Sequence, residues 1–369
     1  MNNVLLRRQE PSSDGGTGLL PSQEHVAAKT DRAKYMSEKP TVLVTGGAGY
    51  IGSHAVLALR DAGYGVVVID NLVTGFRWAV PDDVAFVQGD IADQPLVQQT
   101  LRDHGVKAVM HFAGSVVVPE SVENPLKYYH NNSAKTRDLI ESVVTVGVPH
   151  FIFSSTAATY GIPEESPVKE TTPQRPINPY GMSKLMTEYM LRDVSAAHAM
   201  NFCALRYFNV AGADPAGRTG QSTAGATHLI KVAVEAALGK RSHVSVFGAD
   251  FDTPDGTGVR DYIHVTDLAA AHVLALEALM AKPEQNYLLN CGYGRGFSVL
   301  EVLDAVDRVT NLKIDRRMEG RRAGDPDALI SDNRAIMGEF PWKPQYADLD
   351  QIVTHALAWE RKLTEIRGE

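Results

Sequence analysis

The chain of 369 residues holds only two cysteines, Cys203 and Cys291, each inside an apolar run. Two thiols rule out a disulfide framework at this size, and no CxxC spacing offers a metal site, so no metal is expected. They read as small core residues of a protein kept in a reducing cytoplasm. No apolar stretch reaches the ~20 residues needed to cross a bilayer, so no membrane partner is expected. Arg7-Arg8 leads into Gln9–Gly16 without an apolar region, which argues against a signal peptide. Positive charge is not in excess either: the net charge is −8. That disfavours a nucleic-acid partner tracked along its phosphates, but leaves room for a nucleotide in a locally basic site. What remains is a chain 44% hydrophobic and 22% charged, enough for one large domain with a smaller one attached.

Residues 1–38 are polar and aperiodic and read as a disordered N-terminal extension. From residue 41 short apolar runs alternate with amphipathic stretches. Thr41–Thr45, Val66–Ile69, Val84–Gln88, Ala108–Phe112, Phe151–Ser154 and Phe202–Arg206 are predicted strands. Ile51–Ala62, Val97–His104, a long Leu126–Val146 and Pro179–Ala199 are predicted helices. Such alternation predicts an α/β fold, a doubly wound parallel sheet of the Rossmann kind. After residue 210 Gly and Pro become frequent and strands such as Val244–Phe247 and Tyr287–Asn290 are widely spaced. The expected division is 39–210 for a dinucleotide-binding domain and 211–369 for a smaller C-terminal substrate-binding lobe, with some segments returning to the first domain. Ligands should lie between the two, beyond the carboxyl ends of the strands.

Thr45-Gly46-Gly47-Ala48-Gly49-Tyr50-Ile51-Gly52 follows the first strand and opens the first helix. Gly46 permits a tight turn, Gly49 a close approach of backbone to a pyrophosphate, and Gly52 close packing. The spacing is GxxGxxG rather than GxGxxG, and a glycine turn without a ligand is the competing reading. Asp70 ends the second strand, where an acid accepts from ribose hydroxyls and repels a 2′-phosphate, so NAD is favoured over NADP. Gly89-Asp90-Ile91 and His111-Phe112-Ala113-Gly114 end the next two strands; Asp90 and Ile91 would face an adenine, and Phe112, Ala113 and Gly114 would let a cofactor lie on the backbone.

Tyr180-Gly181-Met182-Ser183-Lys184 puts a phenol and an ammonium one helical turn apart. A free phenol, with a pKa of about 10, is a poor base near neutrality, and neighbouring cations favour its ionised form. Ser154-Ser155-Thr156 ends a strand upstream and supplies hydroxyls. Together these suggest hydride transfer in which Tyr180 exchanges a proton with a substrate hydroxyl, Lys184 tunes it and holds a ribose, and Thr156 bonds the reacting oxygen.

These segments, with Asp70-Asn71, Ser154–Gly161 and Leu205–Asn209, resemble the extended short-chain dehydrogenase/reductase family. Gly256–Val265, His111–Gly114 and Glu120-Ser121 resemble its UDP-glucose 4-epimerase branch, and the likeness covers about residues 40–365. It implies an isomerase with tightly bound NAD that interconverts UDP-galactose and UDP-glucose, working as a homodimer. NAD contacts would come from Gly46, Gly49, Tyr50, Ile51, Gly52, Asp70, Asn71, Asp90, Ile91, Phe112, Ala113, Gly114, Asn132, Ser154, Tyr180, Lys184 and Tyr207. The UDP-sugar would meet Thr156, Tyr180, Asn209, His228, Leu229, Phe247, Arg260, Arg322, Asp325 and Leu329. Two arginines suit a diphosphate through forked hydrogen bonds.

Three positions depart from the family's pattern: Val116 stands in place of a lysine, His228 in place of an asparagine, and Leu329 where a tyrosine or a small residue is usual. A sugar-nucleotide dehydratase would need an acid and a base directly after Thr156, where Ala157 and Ala158 stand. Epimerisation of a UDP-pentose or a UDP-N-acetylhexosamine, decarboxylation of UDP-glucuronate, and an NAD-sensing regulator without catalysis are the other readings.

Overall fold

The computed structural model describes residues 39–322 and 324–368. The expected N-terminal extension lies outside these residues.

Seven strands form one parallel sheet: β1 (Lys39–Thr45), β2 (Tyr64–Asp70), β3 (Ala85–Gln88), β4 (Ala108–His111), β5 (His150–Thr156), β6 (Asn201–Tyr207) and, from far along the chain, β10 (Tyr287–Cys291). Their order is β10-β6-β5-β4-β1-β2-β3. The chain therefore reverses direction between β1 and β4, which opens a crevice at the strands' carboxyl ends. β2, β5 and β6 are buried at every residue, the run-on apolar pattern of strands covered on both faces.

Helix α1 (Tyr50–Asp61) follows the glycine turn, α2 (Gln94–Asp103) follows β3, and α3 (Val118–Glu123) and α4 (Pro125–Tyr128) follow β4. The long helix expected over 126–146 is interrupted. Tyr129–Ala134 forms a π turn that separates the short α4 from the regular α-helix Lys135–Val146 (α5). The wider turn brings Asn132 inward, where its amide holds both backbone groups of Ser115; π turns of this kind recur at functional sites. Helix α6 (Pro179–Ala197) starts at Asn178, whose side chain caps the Gly181 N–H at 2.8 Å, with Pro179 at the first position.

Beyond β6 the elements are short. β7 (Asn209–Ala211), β9 (Val259–His264), β11 (Gly296–Ser298) and β13 (Ala328–Leu329) form a second sheet, and β8 (Val244–Phe247) pairs with β12 (Arg316–Glu319). Helices α7 (Leu229–Ala237), α9 (Val299–Thr310) and α11 (Leu349–Arg367) close a second core around Ile230, Val246, Val302 and Leu357. α8 (Val265–Ala281) packs instead on α1, and the short α10 (Arg334–Glu339) packs beside β10. Cys203 and Cys291 are buried free thiols on the neighbouring strands β6 and β10. Among the described residues no helix is long and apolar enough to cross a membrane, and no group of side chains is arranged to hold a metal.

Candidate active site

The glycine turn is shaped for a dinucleotide. Gly46 has φ +70°, and a Cβ there would stand 2.6 Å from the Ala113 nitrogen. Only glycine meets both demands, and the crevice floor at Phe112-Ala113-Gly114 thereby stays flush with the turn. A Cβ on Gly52 would collide with the Gly46 carbonyl, so the close packing expected of Gly52 is against the turn itself. The first turn of α1, Gly49 through Gly52, has no side-chain cap and no acidic residue. Gly49 donates to the Gly46 carbonyl at 3.1 Å, and the N–H groups that follow it, with the helix dipole, suit a pyrophosphate.

Asp70 is fixed at the end of β2 by the N–H groups of Ala48 (2.9 Å) and Leu72 (2.8 Å), with accepting capacity left over. Asn71 lies beside Asp90, and Asp90 pairs with Lys135 at 2.6 Å. Ile91 is buried behind it. The Tyr50 hydroxyl donates to the Gly212 carbonyl at 2.7 Å and the Ser53 and Thr219 hydroxyls lie 2.9 Å apart. Tyr50 thus faces the segment after β7 with its ring, and the turn with its backbone. These residues fit NAD.

On the other side of β1, Thr156, Tyr180 and Lys184 converge. Lys184 is buried and donates to the Ser154 carbonyl at 2.9 Å, with its ammonium over the Phe153 ring. Burial lowers its pKa to about 8. Two of its three donors remain for a ligand. Burial raises the Tyr180 phenol above its ordinary value, and the adjoining Thr156 hydroxyl works against that rise. Thr156 Oγ1 accepts the Ala158 N–H at 3.1 Å, so its own proton is left to donate. Tyr207 sits beneath, near Ser154. Asn132 donates to Ser183 at 3.1 Å and its oxygen lies against Gly114, tying the π turn to α6.

The expected substrate-side residues are spread over the second sheet (Asn209, Arg260, Leu329), strand β8 (Phe247), the start of α7 (His228, Leu229) and the loop after β12 (Arg322, Asp325). Arg260 on β9 donates to the Pro326 carbonyl (2.9 Å) and reaches Asp325 at 3.4 Å. Arg322 stacks its guanidinium 3.6 Å above the Phe247 ring. Leu329 pairs with Arg260 across β13 and β9 and packs against Ala157, Tyr160 and Val168, directly beyond Thr156. Asn209, His228 and Leu229 line one cavity with Tyr50, Gln221, Lys231, Trp359 and Glu360. Val116 is an exposed side chain.

Sequence reasoning missed the partners that hold these groups. Ser115, Ser183 and Lys135 sit far in sequence from what they bind. The buried pair of Lys231 with Glu360 beside the cavity joins residues 129 apart, for which no local signal exists.

The sequence pattern of the NAD dependent epimerase/dehydratase family matches residues 42–292. The chain is 54% identical over 330 residues to a UDP-glucose 4-epimerase of Azospirillum brasilense, covering 89% of this chain and 94% of that one. The crystal structure of UDP-glucose 4-epimerase from Brucella ovis in complex with NAD superposes with a TM-score of 0.84 at 45% identity, covering 86% of this chain and 98% of the other. The UDP-Glc/GlcNAc 4-epimerase of Campylobacter jejuni gives 0.77 at 46% identity, over 88% and 99%. With the glycine turn, the parallel sheet and the Tyr–Lys pair all inside the matched span, the chain belongs to the NAD dependent epimerase/dehydratase family.

Proposed function

We propose that this protein is an NAD-dependent UDP-glucose 4-epimerase that interconverts UDP-galactose and UDP-glucose. The observation that carries this reading is the convergence of Tyr180, Thr156 and Lys184 at the strand ends, with no acid or base after Thr156. NAD, which the glycine turn, Asp70 and Lys184 would hold, would accept hydride from C4 of the sugar and give it back to the opposite face. Tyr180 takes the proton of the 4-hydroxyl and later returns a proton to the same oxygen. Thr156 donates to the same oxygen and steadies the charge on it. Lys184 favours the phenolate. Between the two proton transfers the 4-keto sugar must turn over, so binding has to rest on the part that does not move. Arg260 and Arg322 neutralise the diphosphate, Asp325 accepts from the uridine ribose, and Phe247 offers a face to the base. Asn209, His228, Leu229 and Leu329 bound the space in which the sugar turns.

The Ala157-Ala158 pair removes the groups that dehydration needs, and the retained Tyr180–Lys184 pair argues against a mere NAD sensor. We assign residues 39–210 chiefly to the cofactor and 211–369 chiefly to the substrate, with β10 and α8 as the returning segments. A homodimer is supported by the apolar side chains Val122, Leu126, Met186 and Tyr189, exposed on packed neighbours α3, α4 and α6. Two free buried thiols suit a reducing cytoplasm. The deciding test incubates the purified protein with UDP-galactose, without added reductant, and separates the products. UDP-glucose should form up to equilibrium; its absence, or release of a dehydrated product, overturns the reading.

A further inference from the structure

Tyr180, Lys184 and Glu188 recur at every fourth residue of α6 and so share a face. The first two meet the site. The third is buried to 2% against the sheet and takes no part in the chemistry described so far. Its carboxylate accepts from Arg206 Nε (2.9 Å) and Nη2 (2.7 Å), from Gln174 (3.0 Å) and from the Ser155 hydroxyl. Four donors saturate it. Ser155 precedes Thr156 on β5 and lies opposite Arg206 on β6.

The network continues. Arg206 Nη1 donates to the Tyr160 hydroxyl at 2.9 Å, and Tyr160 donates to Asn290 on β10 at 2.7 Å. Asn290 holds the Val168 carbonyl at 2.9 Å, and the Val168 N–H donates to Ile330 at 2.8 Å, next to Leu329. One hydrogen-bonded path therefore runs from the Tyr180 helix through the ends of β5, β6 and β10 to the strand that borders the sugar space. A buried ion pair is a poor device for stability alone, since well-packed apolar residues serve as well. What it gives is a fixed geometry, because a forked guanidinium–carboxylate pair tolerates little displacement.

We propose that Glu188 and Arg206 are positioning residues for proton transfer: they clamp α6 to the end of β5 through Ser155 and so set where the Thr156 hydroxyl stands relative to the Tyr180 phenol. The rate measurements below rest on the epimerase reading; the titration does not. Small misplacements of reacting groups are costly, up to about a hundredfold for ~1 Å. Ionisable neighbours of the Tyr180 ring are Lys184 one turn along, Tyr128 with ring centroids 6.4 Å away, and Tyr207. None is altered by the variants used.

Ser155→Ala in the NAD-loaded protein removes one hydroxyl from the clamp and leaves the ion pair intact. It should lower kcat about tenfold with KM for UDP-galactose within about twofold, the scale of a displaced proton-transfer partner. The acid limb of the kcat–pH profile should move to higher pH, because Thr156 no longer favours the phenolate. Arg206→Lys keeps the charge and loses the fork, and should act in the same direction, more strongly; if it does not fold, Ser155→Ala decides alone. An unchanged kcat and pH limb with only a lower Tm overturns the proposal, as does a raised KM at constant kcat. Should the wild-type protein not turn over UDP-galactose, the epimerase reading fails, and the tyrosinate absorbance titration decides instead. Taken as the difference between each protein and its Tyr180→Phe counterpart, it should shift to higher pH in Ser155→Ala; no shift overturns the clamp.

Discussion

The proton-transfer side of the site and the nucleotide-sugar side are built in opposite ways. Thr156, Lys184 and Asn132 are buried on β5, α6 and the π turn, and each is anchored by a hydrogen bond to backbone. Arg322 is exposed, Asp325 and Arg260 are half-covered, and all lie on two- to six-residue strands or loops. Chemistry at one carbon demands a fixed phenol, whereas a sugar that turns over demands slack around it. The rigid side should govern turnover and the open side binding.

Breaking the rigid side should have the largest effect. Tyr180→Phe keeps the ring and loses the proton, so kcat should fall by roughly a hundredfold or more with Tm and NAD content unchanged. Steady-state rates with a thermal melt check this, and near-wild-type turnover removes Tyr180 from the reaction. On the open side, Arg322→Ala should raise KM about tenfold at nearly constant kcat, the scale of one charged hydrogen bond. A fall in kcat instead would erase the contrast between the two sides.

Leu329 sharpens the comparison, since it touches both sides. It packs on Ala157 and Tyr160 and stands in register with Arg260. Leucine offers no group to bond an amide, so wild type should prefer UDP-glucose and UDP-galactose over the N-acetylated pair. Leu329→Ser should raise kcat/KM on UDP-N-acetylglucosamine relative to UDP-glucose several-fold, within the ~1–3 kcal/mol such pockets discriminate. Parallel loss of both activities would show a packing role only.

A further effect is on stability rather than on turnover. Burial lowers His111 and His264 to about 3, and His54 and His272 to about 4. Below the unfolded value near 6.5 the unfolded chain binds protons that the fold refuses, so stability falls as pH drops from about 6.5 towards 4. Each histidine adds at most about 1.4 kcal/mol per pH unit. Melts from pH 7.5 to 4.5 should show this slope, and His272→Asn should flatten it.

The same contrast explains what could be read in advance. Strand–helix alternation and the glycine turn are local and periodic, so the parallel sheet was legible, as was the Tyr180–Lys184 turn. The π turn at Tyr129–Ala134 was not, because its cause is the distant Ser115 backbone. Nor was the burial of Glu188 and Arg206, which meet only when α6 lies against β6. Tyr287–Asn290 was legible as a strand but not its place beside β6, which is set by tertiary pairing. Arg322 and Asp325 sit in an aperiodic loop and Arg260 on a short strand, where only the likeness to a family singled them out.

That place of β10 has a consequence for how the chain is made. β6 has β10 as its outer neighbour, in register from Tyr287↔Cys203 to Cys291↔Tyr207. Until residue 291 leaves the ribosome, the outer edge of β6 is unpaired although every residue of the strand is buried in the finished fold, the kind of surface that recruits other strands. The two halves therefore cannot be matured in turn, the first half completed while the second is still being synthesised. Fragments ending before residue 287 should aggregate, and the enzyme should be an all-or-none product of translation.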